Sequence, residues 1–251
     1  MKYPEDFINK VICGDCLEVM PQIPDKSIDM ILCDLPYGTT ACSWDTIIPF
    51  EPLWKEYKRI IKDNGAICLF GSEPFSSFLR LSNLKQYKYD WIWHKSIPTG
   101  MMSAKYMPMK NHEIISVFGY GKLKFNPIKE ERSKNTHKTG TGKLYKSNSE
   151  HTKNFFSIRK EPEEKRNPTT IRYFPNVSRH KSEHPTQKPV ALFEYLIKTY
   201  TNEGDLVLDN CAGSGTTGVA CKKTGRNYIL IEKEEKYYKI AQERLRQEVL
   251  F

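Results

Sequence analysis

The stretch LVLDNCAGSGTTG, residues 206–218, constrains the fold more than any other part of the chain. The apolar run at 205–208 reads as a buried strand, and residues 216–223 read as a helix. Between them stand Gly213 and Gly215, and Gly218 follows in the helix. A second strand, YILI, ends at Glu232. Glycine accepts positive φ and lets a ligand approach the backbone. A helix start offers free N–H groups. An acid about twenty residues downstream is placed to accept from a ribose diol. Strand, glycine turn, helix, strand and acid therefore predict one nucleoside-binding unit. The bland reading is a tight strand-to-helix turn without a ligand.

The spacing is not G-x-G-x-x-G, and no Walker lysine follows, which disfavours NAD and ATP. Asp209, an acid just before the glycines, points to a ligand with a positive group, as an amino-acid tail has.

Apolar runs at 9–13, 28–33, 66–70, 89–93 and 113–118 predict further strands. Helical patterns occupy 16–23, 52–62, 74–81, 190–200 and 234–248, and Asp63-Asn64-Gly65 reads as the turn ending the second of these. Strands alternating with helices predict an α/β fold: a Rossmann-like, mainly parallel sheet with helices on both faces. The 251 residues suffice for one such domain with an insertion. No run approaches a membrane span, and MKYPEDFINK lacks a signal-peptide core, so the cytoplasm is the expected location. Cys13 and Cys16 make one C-x-x-C without a second pair, so no metal site is expected, and the seven cysteines read as buried or incidental thiols.

Charge is concentrated. Residues 122–181 hold sixteen Lys and Arg against six Asp and Glu, whereas the rest of this +9 chain is close to neutral. This segment also interleaves Phe and Tyr and has weak periodicity. It divides the chain into 1–118, a basic insertion at 119–181, and 182–251. A basic insertion of this kind suits a polyanion, nucleic acid first, although basic runs are often solvated loops.

DLPYG, residues 34–38, closes the strand at 28–33. It reads either as an ordinary turn or as a pocket for a flat ring bearing an amine. Here the chain resembles the amino-group DNA methyltransferases. DNCAGSGTT is similar to their S-adenosylmethionine loop, DLPY to their catalytic tetrapeptide, and HPTQKP (184–189) to the segment before the cofactor strand. The order, catalytic motif before cofactor loop, is that of the permuted beta group. The resemblance covers 1–118 and 182–251. Leu35 stands where many members have a first proline, and Asn210 and Cys211 replace a frequent Pro-Phe.

The resemblance implies S-adenosylmethionine as cofactor and double-stranded DNA as partner, with pairing of two chains as in other permuted members. It assigns cofactor contacts to Asp15, Cys16, Lys188, Asp209, Ala212, Gly213, Ser214, Gly215, Thr216, Thr217 and Glu232. Asp15 also suits a helix N-cap, and Lys188 reads either as reaching the cofactor carboxylate or as a solvated lysine before Pro189. Asp34, Leu35, Pro36 and Tyr37 form the catalytic set. Asp34 and the Leu35 carbonyl accept hydrogen bonds from an exocyclic amine, Pro36 restrains the peptide, and Tyr37 stacks on the base. The base must leave the duplex to reach them. Glu113 and His112 are placed near base contacts, and Ser72 and Glu73 near the same cleft. Asp at position 34 favours N6 of adenine. The competing readings are an N4-cytosine methyltransferase and a DNA-binding protein on an inactive methyltransferase fold.

Overall fold

The computed structural model describes residues 1–39, 42, 45–131, 165–177 and 187–247. They fall in two compact units, Met1–Asn126 with Thr170–Phe251, and Pro127–Thr169.

In the larger unit the strands are β1 (Lys10–Cys13), β2 (Ile28–Cys33), β3 (Ile61–Gly71), β4 (Tyr87–Thr99) and β5 (Lys110–Phe118). In the smaller unit β6 (Glu130–Glu131) pairs antiparallel with β7 (Lys165–Arg166). The larger unit resumes with β8 (Ile171–Phe174), β9 (Leu206–Asp209) and β10 (Asn227–Glu232). Its sheet runs β1-β10-β9-β2-β3-β5-β4-β8. All neighbours are parallel except β3/β5 and β5/β4.

Alternation along the central strands explains the layers. Ile31 and Cys33 of β2, Leu206 and Leu208 of β9, and Ile229 and Ile231 of β10 point to one face. There they meet α1 (Cys16–Val19), α2 (Phe50–Ile60) and α3 (Phe75–Ser82). Met30 and Leu32, Val207, and Tyr228 and Leu230 point to the other face. That face is closed by α4 (Val190–Tyr200), α5 (Thr216–Thr224) and α6 (Glu235–Gln247). Strands buried on both faces read as continuous apolar runs, as IDMILC does.

Several boundaries differ from expectation. The helix at 16–23 stops after Val19 and tightens into a 3-10 turn, Met20–Gln22, where Pro21 has no N–H to give. Residues 63–65 lie inside β3, not in a turn. A Cβ on Gly65 would fall 2.8 Å from the Asp29 carbonyl oxygen, so glycine lets β2 and β3 approach here. β8 lies within the stretch read as insertion, yet it forms the edge of the main sheet beside β4.

Candidate active site

β2 and β9 are adjacent and parallel, with Met30 opposite Val207 and Ile31 opposite Leu208. Their carboxyl ends therefore bring Asp34 and Asp209 to one edge of the sheet, although 175 residues separate them in sequence. A cleft of about 790 Å³ opens there, within the larger unit. Asp34 to Tyr37 line it, as do Asp15, Cys16, Lys188, Asp209, Ala212, Gly213, Ser214, Thr216 and Glu232. Gly215 and Thr217 lie behind the loop instead. Gly215, at φ 77°, packs against Ala241 of α6, and the fully buried Thr217 donates its hydroxyl to Asp209.

The glycine turn is held by its own acids. Glu232 accepts from the backbone N–H of Gly213 at 2.7 Å and of Glu234 at 2.8 Å. Asp209 accepts from Cys211 N–H at 3.1 Å as well as from Thr217. Burial pushes the Asp209 carboxyl up to about 7, against the lowering effect of those hydrogen bonds. Burial raises Glu232 too. Asp15 caps α1 through Leu17 N–H at 2.9 Å and meets Lys233 at 3.0 Å. Its partial burial raises its carboxyl, but these two partners outweigh that and hold it below its ordinary value.

At the other wall, Leu35 is buried in the core and also borders the cleft. Tyr37 stacks on Phe75, centroids 5.0 Å apart, and donates its hydroxyl to Asp34 Oδ1 at 2.6 Å. Asp34 Oδ2 is held by the Lys188 ammonium. Lys188 in turn lies 3.4 Å from Glu113 Oε2, while Glu113 Oε1 is bound by Lys95. Four charges of alternating sign, Asp34, Lys188, Glu113 and Lys95, thus run along the cleft wall. Burial raises the Asp34 carboxyl; Lys188 opposes that and Glu113 reinforces it. Burial also acts to raise Glu113, but its two lysines hold it below its ordinary value.

Residues 28–243 match the DNA methylase family model, which is most of the chain. The chain belongs to the DNA methylase family. The methylase is 30% identical over 281 aligned residues to the Type II methyltransferase M.HinfI of Haemophilus influenzae, spanning 96% of this chain and 69% of that protein. It is 29% identical to the DNA adenine methyltransferase YhdJ of Escherichia coli, spanning 94% of this chain and 82% of that one. Two solved structures share its fold. The M1.HpyAVI-SAM complex has a TM-score of 0.63 at 23% identity, covering 94% of this chain and 98% of that one. The cytosine-N4-specific PvuII DNA methyltransferase has 0.64 at 16%, covering 93% and 85%.

The methylase departs from its sequence reading at Lys188 and at the pair Ser72 and Glu73. Lys188 sits on Asp34 rather than free to meet a cofactor carboxylate. Ser72 binds Lys110 at 2.6 Å and Glu73 binds Arg80 at 2.7 Å, both outside the cleft lining. The Pro-Phe replacements are packed: Asn210 accepts from Tyr57 Oη at 2.5 Å, and Cys211 lies against Cys16 and Cys33. His184, Pro185 and Thr186 of HPTQKP lie outside the described residues. Sequence reasoning missed Asp45. Its carboxylate accepts from Gly38 N–H and Thr39 N–H, both at 2.9 Å, and so pins the turn where Gly38 takes φ 67°. The available signal was an acid a few residues past a glycine, which is too common to single out.

Proposed function

We propose that this methylase transfers a methyl group from S-adenosylmethionine to N6 of adenine in double-stranded DNA, at specific sites, in the cytoplasm. The observation that carries the reading is the meeting of Asp34-Leu35-Pro36-Tyr37 and the Asp209–Thr217 loop on one cleft. The cleft fits the cofactor. Asp209 is a buried acid that a cation would favour. Each Glu232 oxygen accepts one backbone N–H and has a lone pair left for a hydroxyl. When bound, S-adenosylmethionine supplies an electrophilic methyl group on a sulfonium.

The chain's own residues do the rest. Asp34 accepts from one amine N–H, and the Leu35 carbonyl accepts from the other, which localises the nitrogen lone pair. As the C–N bond forms and the C–S bond breaks, Asp34 takes the proton the nitrogen loses. Tyr37 holds the ring plane. The cleft cannot reach a base inside a duplex, so the adenine is flipped out. The basic segment 119–181 grips phosphates and reads bases.

The choice of adenine rests on Asp34 and on the likeness to a relative named as an adenine methyltransferase. Unmethylated genomic DNA treated with the enzyme and labelled cofactor, then digested to nucleosides, tests it. N6-methyladenine is the expected product. N4-methylcytosine would overturn the choice of base, and no labelled nucleoside would overturn the reaction.

A further inference from the structure

We propose that Lys188 is a displaceable counter-ion of Asp34, and that Glu113 is the positioning residue that receives it when the target amine arrives. The proposal rests on the reading above, in which Asp34 accepts from that amine.

Both oxygens of Asp34 are already engaged, Oδ1 by Tyr37 and Oδ2 by Lys188. An incoming amine must share one of these oxygens with its present partner, so a partner that can yield favours its entry. Of the two partners, Lys188 has somewhere to go. Glu113 Oε2 is 3.4 Å from its Nζ, a long ion pair, and no other donor reaches that buried oxygen. A buried carboxylate oxygen held only by so long a contact is under-satisfied. It has a purpose if a second state of the site fills it.

The receiving group is rigidly aimed. Lys95 holds the other oxygen of Glu113, and Lys95 is itself buried and stands 5.1 Å from the Trp93 ring centroid. The two residues lie on the antiparallel strands β4 and β5, where Trp93 faces Glu113. The transfer is also short. To make a normal hydrogen bond to Glu113, the ammonium moves by less than about 1 Å. It lies near two aromatic rings, 5.5 Å from the Phe70 centroid and 5.9 Å from that of Tyr37, which favour a cation throughout.

The shift does two things at Asp34. It loosens the hydrogen bond on one Asp34 oxygen in favour of the amine, and it weakens the cation's opposition to the rise that burial imposes on the carboxyl. Asp34 then keeps Tyr37 as its close donor, with Lys188 farther off, and still faces the acid-side groups Cys33, Asp209 and Glu113. Its basicity therefore rises at the stage when a proton needs a home. Paired with Lys188, the buried acid carries no uncompensated charge.

Steady-state methylation of unmethylated genomic DNA with tritiated S-adenosylmethionine tests this, with cofactor binding by calorimetry as the control for folding. Glu113→Gln should lower kcat by about tenfold or more while KM for cofactor and DNA changes by less than about twofold. Glu113→Asp, which keeps the charge, should recover part of the loss. In a Lys188→Met background, assayed near about pH 9 to favour the ionised form of an Asp34 that has lost its cation, adding Glu113→Gln should change kcat by less than about twofold. Equal losses in both backgrounds, or a wild-type kcat for Glu113→Gln, would overturn the proposal. So would a Lys188→Met enzyme that binds cofactor yet transfers nothing at that pH. Should Glu113→Gln fail to bind cofactor, the Lys188→Met result decides alone. Asp34→Ala separates the two levels: if it still transfers methyl groups, the reading of Asp34 fails, and not merely the displacement.

Discussion

Asp209 shows how a single residue ties stability to ligand binding. Its carboxyl is pushed by burial to about 7, well above its unfolded value. A group raised on folding stabilises most below its unfolded pKa and loses that contribution as pH rises through the folded value. Wild-type stability should thus fall between about pH 4 and 7 relative to Asp209→Asn, as melting temperatures of the two across that range will show. Cofactor affinity should run the other way, rising as Asp209 ionises, and the Asn variant should flatten that rise in calorimetric titrations. At Asp34, replacement by Ala should lower kcat by about 10²–10⁴ and largely spare cofactor affinity. Residue type made both acids legible in the sequence, because each ends an apolar run just ahead of a turn that carries proline or glycine. Lys188 was legible only as a lysine. Its partners Asp34, Glu113 and, through Glu113, Lys95 come from three other segments, and no local pattern could join them.

Elements with strong periodicity were readable almost to the residue. β2 at 28–33 and α4 at 190–200 match their sequence patterns, because each is apolar enough to declare its own period. β8 was not readable. It pairs on one side only, and its alternate residues Ile171 and Tyr173 are exposed in a basic stretch, so the neighbour β4 decides its state. The unit β9-α5-β10 depends on close packing at Gly218, where an added Cβ would fall 2.8 Å from Leu230 and 2.9 Å from Leu245. Gly218→Val should therefore destabilise by about 1–3 kcal/mol and weaken cofactor binding, measured by denaturant unfolding and calorimetry. α4 is tied to β4 by polar atoms as well. Tyr200 Oη accepts from Trp91 Nε1 at 2.6 Å and lies 2.9 Å from Tyr89 Oη. Tyr200→Phe leaves a buried indole N–H without its acceptor, and should cost about 1–3 kcal/mol in the same unfolding experiment.

Over the whole molecule, the excess positive charge sits in one internal segment, and among the described residues no helix is long and apolar enough to cross a membrane. If that segment neutralises phosphates, DNA binding should weaken steeply with salt, and Lys165→Ala with Arg166→Ala should each lower the log–log salt slope by about one. Fluorescence anisotropy across a salt series reads this directly. The fold class was legible at this scale from alternation alone. The sheet order was not, since long-range pairing leaves no mark in local pattern.

That order carries a consequence for how the molecule comes into being. β1, the first strand made, bonds only to β10, and the central β9 inserts between β10 and β2. A chain emerging from the ribosome therefore has no closed sheet until its last two strands arrive, and an unfinished copy can mark nothing. The same geometry makes continuity between the halves dispensable. Fragments 1–126 and 170–251, expressed together, should assemble and bind cofactor, where neither does so alone.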